Sequence, residues 1–133
     1  MKRAVFLDRD GVIIELLPGG ESVRWPEEVR LVGGAAQAIA RLRAAGLLAI
    51  VVTNQPGPAK GLYTVDSVHG ALARMHALLA ASGTRVDDVF VCWHHPDGGP
   101  GGDVRLIVDC ECRKPRRWQK GWHPPAWPCR YMG

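Results

Sequence analysis

Leu47-Leu48-Ala49-Ile50-Val51-Val52 is an unbroken apolar run that closes on three β-branched residues. A strand that is apolar at every position is covered on both faces, which is the condition of a parallel sheet. Helical patterns flank it on both sides. Before it, Gly33-Gly34 leads into an alanine-rich segment from Ala35 to Ala45, with Ile39 and Leu42 on one face and Gly46 as the stop. After it, Val65, Val68, Leu72, Met75 and Leu79 keep helical spacing. Thr64 is placed to cap that helix, Asp66 lies in its first turn, and Gly83 closes it. Val5-Phe6-Leu7 and Val89-Phe90-Val91, the latter ending at Cys92, read as two more short strands. Strands alternating with helices predict right-handed βαβ crossovers, hence an α/β fold around a parallel sheet.

A chain of 133 residues, 47% of them apolar, fits one globular domain with a real core. Asp8 interrupts the first apolar run too early for a signal peptide, and no stretch approaches a membrane span. The expectation is a cytoplasmic protein. The net charge of +4 is unevenly placed. Residues 1–112 hold 11 basic and 13 acidic residues, whereas residues 113–133 hold six basic and no acidic ones. A basic tail can hold polyanions non-specifically, but it gives no reason to expect a specific nucleic-acid partner.

Two carboxylates, Asp8 and Asp10, stand just past the end of the first strand. Ligands of open α/β sheets bind outside the carboxyl ends of the strands. Like charges this close call for a cation or a shared proton. The competing reading is a polar turn beside a helix cap. Gly11 to Val32 carries turn signals at Pro18-Gly19-Gly20 and Trp25-Pro26, and reads as a loop or small hairpin over the mouth of the site. It is too short for a separate cap domain. Asp97 to Asp103, with four glycines, reads as a flexible loop.

Cys92-Trp93-His94 follows the third strand, and Cys110-Glu111-Cys112 arrives after the glycine-rich loop. Three sulfurs and one imidazole make a closed Cys₃His set that suits structural zinc, with no open position for catalysis. The alternative is a few buried or surface cysteines without a metal. His95 competes with His94 as the fourth ligand. His69 and His76 read as solvent-facing histidines of the second helix, and Cys129 and His123 enter no motif.

Taken together, these segments resemble the haloacid dehalogenase (HAD) superfamily. Phe6-Leu7-Asp8-Arg9-Asp10-Gly11-Val12-Ile13 is similar to its first motif, Val51-Val52-Thr53-Asn54-Gln55 to its second, and Cys112-Arg113-Lys114-Pro115 to its third. The Cys-x-His and Cys-x-Cys pairs resemble its zinc-bearing branch of small phosphatases. Within that branch, Asn54 to Gly61 followed by Tyr63-Thr64 is more similar to the heptose bisphosphate enzymes than to the histidinol phosphatases. The resemblance covers residues 4–115. It implies a HAD-like, Rossmannoid three-layer sandwich over residues 1–115, acting as a monomer on a small phosphorylated sugar.

It also implies roles for residues. Asp8 is the nucleophile that becomes an aspartyl-phosphate, and Asp10 the general acid and base. Thr53 and the Asn54 backbone hydrogen-bond the phosphoryl group, and Lys114 neutralises it. Asn54, Gln55, Lys60 and Arg113 are expected to bind substrate. Magnesium is expected on Asp8 and Asp10, and zinc on Cys92, His94, Cys110 and Cys112.

The resemblance stops at Pro115. The superfamily has a fourth motif whose strand pairs with the first and ends in a magnesium-binding aspartate, yet no Asp or Glu follows Glu111 here. Residues 116–133 hold three of the five tryptophans and three of the ten prolines, with neither strand nor helix periodicity. The expectation is a reading frame disrupted soon after the Lys114 codon, an incomplete magnesium site and a crippled enzyme. The rival is a genuine tail that contacts a polyanion. The functional rivals are a histidinol-phosphate phosphatase, a non-catalytic zinc-binding fragment and a polynucleotide 3′-phosphatase.

Overall fold

A computed structural model describes residues 2–115. Its frame is a three-stranded parallel sheet of β1 (Ala4–Leu7), β2 (Leu48–Asn54) and β3 (Asp88–Cys92), in the order β1-β2-β3. Leu7 pairs with Val51, and Asn54 with Cys92. This register brings Asp8, the Thr53-Asn54 pair and Cys92 to one edge of the molecule. β2 runs two residues beyond its apolar stretch, so Thr53 and Asn54 are held by the sheet itself.

The crossovers are α1 (Ala35–Ala44) and α3 (Val65–Ala81), with a single-turn helix, α2 (Gly57–Lys60), between β2 and α3. The side chain of Thr64 accepts a hydrogen bond from the Ser67 N–H at 3.0 Å, the predicted cap. Val68, Ala71, Leu72, Met75 and Leu79 form the buried stripe of α3. They join Ile39 of α1 and the sheet residues Ala49, Val51, Val89 and Val91 in one core. Ile50, Val52 and Phe90 form a second cluster on the opposite sheet face. Among the described residues β1 is an edge strand and both long helices pack into the first core. The tail at 116–133, expected to be out of frame, lies outside the described residues. No helix among them is long and apolar enough to cross a membrane.

Two segments differ from their sequence reading. Gly11–Val32 forms the hairpin that its turn signals allow, but its apolar residues are built into the core. Ile13, Ile14, Val23 and Val29 are buried in the main core. Ile14 bridges both Asp10 and Leu31, and the Glu15 N–H donates to the Arg30 carbonyl at 2.8 Å. The apolar residues lack a regular period because a twisted hairpin and a 3-10 turn at Pro26–Glu28 deliver them singly. The glycines of 97–103 serve close packing rather than flexibility. A Cβ on Gly102 would run into the Ala59 carbonyl, and one on Gly99 would meet that of Lys60. The Asp103 N–H donates to the Pro58 carbonyl at 2.9 Å, which docks the loop on α2.

One half-buried link ties α1 to the sheet. Asp87 accepts from Arg43 Nη2 at 3.1 Å and Nε at 3.3 Å, and from the Ala49 N–H at 2.8 Å. Burial alone would raise the Asp87 pKa, but these hydrogen bonds and the charges of Arg43 and Arg85 outweigh it and hold the carboxyl below its ordinary value. The folded form therefore gains stability that is complete above the unfolded pKa and is lost as pH falls through the folded one. Asp87→Ala is expected to cost about 1–2 kcal/mol at neutral pH and to flatten the acid limb of stability, read from urea melts between pH 7 and pH 3.

Candidate active site and metal centre

The carboxyl edge of the sheet gathers the charged residues of the first three motifs. Asp8 leaves β1 with its side chain 45% exposed. Its Oδ1 accepts from the Arg9 N–H at 2.7 Å and pairs with Lys114 Nζ at 3.1 Å. Oδ2 accepts no hydrogen bond among the described residues, so it is the atom open to a ligand. Lys114 is itself fixed. Its Nζ donates to the Val52 carbonyl at 2.9 Å, and its N–H donates to Asn54 Oδ1 at 3.0 Å. The Asn54 amide returns a bond to the Lys114 carbonyl at 3.3 Å. Asn54 is therefore a clamp on the Lys114 backbone, with its side chain turned to protein.

Asp10 is held from both sides. Its Oδ1 accepts from Arg9 Nη2 at 2.7 Å and Nε at 3.0 Å, and its Oδ2 accepts from Gln55 Nε2 at 3.0 Å. The same Gln55 nitrogen donates to Thr53 Oγ1 at 2.8 Å, and Gln55 Oε1 accepts from the Tyr63 hydroxyl at 3.1 Å. Asp8 and Lys114 thus meet directly, and Thr53 joins Asp10 through one amide. Gln55, expected to bind substrate, is fully buried and engaged with protein groups. Arg113 also differs from expectation, since its Nη1 reaches back to the His94 carbonyl at 3.5 Å. Lys60 ends α2 with its backbone against Gly99, and no hydrogen bond or ion pair among the described residues brings its side chain to the cluster.

Arg9 is a functional residue that sequence reasoning passed over. Its side chain is fully buried and paired with the Asp10 carboxylate, and its Nη2 also reaches the Val23 carbonyl at 3.3 Å. Its Nη1 is buried with no acceptor among the described residues. The available signal was a cation inside an apolar segment, flanked on both sides by acids. Tyr63 was quoted only as part of a motif. Burial raises its pKa, Arg9 opposes that, and the Asp10 charge adds to it. The Tyr63 ring also borders a cleft of about 730 Å³ with Trp25, Pro58, Thr64, Asp66 and Arg105.

The metal centre lies at the end of β3. The Sγ atoms of Cys92, Cys110 and Cys112 stand 3.3, 3.4 and 3.5 Å apart. His94 Nδ1 is 3.4 Å from Cys112 Sγ. Four ligands at zinc bond lengths around a tetrahedron would stand roughly 3.5–3.8 Å apart. The cysteines are not joined as disulfides, and all four ligand atoms lie within 4.8 Å of one another. The donor set therefore fits zinc. His95 is turned away, because its Nδ1 accepts from the N–H groups of Asp97 and Gly98 at 3.2 and 3.1 Å. His69 meets Trp93 edge-on with ring centroids 5.4 Å apart, and His76 is half-buried, which lowers its pKa.

No family model matches the chain. The chain is 37% identical over 113 residues to the D-glycero-beta-D-manno-heptose-1,7-bisphosphate 7-phosphatase of Bordetella bronchiseptica, covering 85% of this chain and 56% of that protein. It is 41% identical over 103 residues to the D-glycero-D-manno-heptose-1,7-bisphosphate 7-phosphatase of Thermosynechococcus vestitus, covering 75% and 51%. The crystal structure of the B. bronchiseptica D,D-heptose 1,7-bisphosphate phosphatase, complexed with magnesium and phosphate, superposes with a TM-score of 0.70 at 37% identity. The match covers 90% of this chain and 60% of that one. A HAD-like protein from Mesorhizobium loti superposes with a TM-score of 0.74 at 32% identity, covering 90% and 54%. The chain thus spans little more than half the length of the curated relatives it matches.

Proposed function

The chain is a homologue of the heptose bisphosphate phosphatases with their HAD-like fold, and on that premise we propose that its site hydrolyses the phosphate monoester of a small sugar bisphosphate through an aspartyl-phosphate. The observation that carries this reading is the Asp8–Lys114 pair, in which the half-exposed Asp8 keeps Oδ2 clear of any hydrogen bond among the described residues. The hard oxygens of the Asp8 carboxylate and the Asp10 main-chain carbonyl suit magnesium, which when bound would neutralise phosphoryl charge.

Asp8 Oδ2 attacks phosphorus while Lys114 and the Arg9 N–H hold Oδ1. The bond from phosphorus to the sugar oxygen breaks, and Asp10 in its protonated form gives that oxygen its proton. Asp10, now ionised, takes a proton from the attacking water. The water oxygen bonds to phosphorus, the bond to Asp8 breaks, and inorganic phosphate leaves. Each oxygen of an ionised carboxylate has two lone pairs, so the Gln55 bond on Oδ2 leaves a site for that proton. Thr53 and the Asn54 backbone sit at the end of β2, within the same edge as Asp8, and supply donors to the phosphoryl oxygens.

The zinc centre, in this reading, is structural. Its reduced thiolates accord with a cytoplasmic, monomeric enzyme. The test is phosphate release, in magnesium, from D-glycero-D-manno-heptose 1,7-bisphosphate and from histidinol phosphate, by this chain and by a form whose reading frame is restored past the Lys114 codon; the restored form is the one expected to turn over. Release from the heptose bisphosphate, abolished by EDTA and restored by magnesium, is expected. Preference for histidinol phosphate would assign the chain to the rival substrate. No turnover of either, with zinc retained, would make it a non-catalytic zinc domain.

A further inference from the structure

Among the described residues Gln55 is the group that joins Thr53, Asp10 and Tyr63, and the chemistry of an amide makes its orientation matter. Its Nε2 side donates to Asp10 Oδ2 and to Thr53 Oγ1. Turned over, it would present Oε1 to the Asp10 carboxylate, two acceptors facing each other. The donor that opposes this turn is the Tyr63 hydroxyl, 3.1 Å from Oε1. The Tyr63 ring is itself seated by a missing atom. A Cβ on Gly57 would fall inside the ring, so the phenol lies directly against the first residue of α2. Gln55 is anchored through its backbone as well, since its N–H donates to the Cys92 carbonyl at 2.8 Å.

We propose that Tyr63 is a positioning residue for Asp10. It acts through Gln55, keeping the amide nitrogen turned toward the carboxylate. The proposal rests on the reading of Asp10 as general acid and base. Arg9 grips Oδ1 and is charged at every relevant pH. Oδ2 is the oxygen whose surroundings a neutral, reversible amide sets, and so the one whose alignment depends on a third residue. Without the phenol hydroxyl, Gln55 samples both faces, and Asp10 Oδ2 loses its fixed partner for part of the time. Tyr63 also borders the 730 Å³ cleft, so a direct substrate contact is the rival account of any kinetic effect.

Two measurements separate these accounts. Tyr63→Phe keeps the ring over Gly57 and removes only the hydroxyl. In the form that turns over the heptose bisphosphate, kcat is expected to fall about tenfold with KM within about twofold. Gly57→Ala, which displaces the ring, is expected to give the same pattern. A rise in KM alone would make Tyr63 a substrate contact and overturn the proposal.

The second measurement needs no turnover. In ¹⁵N spectra of the wild-type protein, the two side-chain amide protons of Gln55 are expected to be resolved and slow to exchange. In Tyr63→Phe they are expected to broaden or average. If the protein lacks Asp8-dependent turnover, the phosphatase reading fails by itself and the Gln55 signals still decide the proposal. Unchanged Gln55 signals in Tyr63→Phe would overturn it.

Discussion

Asp8→Asn is expected to reduce phosphate release from the heptose bisphosphate by at least about 10⁴-fold, with no loss of fold. The Asp8 side chain is half-exposed, and its Oδ2 accepts no hydrogen bond among the described residues. An amide nitrogen in its place is not a nucleophile, and an amide oxygen is a poor one. Stability should hardly change, because Asp8 is half-exposed and its main partner, Lys114 Nζ, retains the Val52 carbonyl. Asp10→Asn is expected to differ in kind. It keeps the nucleophile, so a burst of labelled Asp8 can still form from a substrate with a good leaving group, while the acid-dependent step with a sugar alkoxide fails. Mass spectrometry of the quenched protein reads the phosphate on Asp8. An Asp8→Asn protein that turned over at a tenth of the wild-type rate would exclude Asp8 as the nucleophile.

Removal of zinc, by a strong chelator or by Cys112→Ser, is expected to have the largest effect on stability, on the order of 3–5 kcal/mol. Cys112 is only 3% exposed and touches Cys92, Cys110 and His94. Few large apolar side chains hold the segment from Asp97 to Cys112. Its anchors are backbone bonds to α2, the His95 N–H to the Leu106 carbonyl at 3.2 Å, and the sulfur cluster. Lys114 stands two residues beyond Cys112, so a loosened cluster also frees the lysine from Asp8. Metal analysis should give one zinc per chain. Thermal melts should show a lowered transition after chelation, and phosphatase activity should fall in parallel although the zinc ligands have no part in the phosphoryl chemistry. A protein purified without zinc, and equally stable with Cys112→Ser, would remove the metal from the account.

Much of this architecture was legible from residue order. The apolar run of β2, the stripe of α3 and the Thr64 cap are local patterns, and each element formed where its pattern lies. The cysteine and histidine spacing was equally readable, because metal ligands must come in compact pairs. Less legible was the hairpin from Gly11 to Val32. Its buried residues Ile13, Ile14, Val23 and Val29 follow no period, since each is delivered by a separate bend. The glycine loop at 97–103 misled for a related reason. Small residues permit either motion or close contact, and only the neighbouring α2 backbone makes it contact here.

By itself, the order of residues determined which chemistry is available: two carboxylates past a strand, a lysine after a Cys-x-Cys pair, four soft ligands around a loop. These follow from side-chain type and short-range spacing, which a linear chain carries in full. Tertiary structure decided which atoms meet. The parallel register brings Asp8 to Lys114, the amide of Gln55 is consumed between Asp10 and Tyr63, Arg113 turns to the His94 carbonyl, and Arg9 is buried against Asp10. Those partners lie up to 106 residues apart or depend on which way one side chain turns, and no local pattern encodes either.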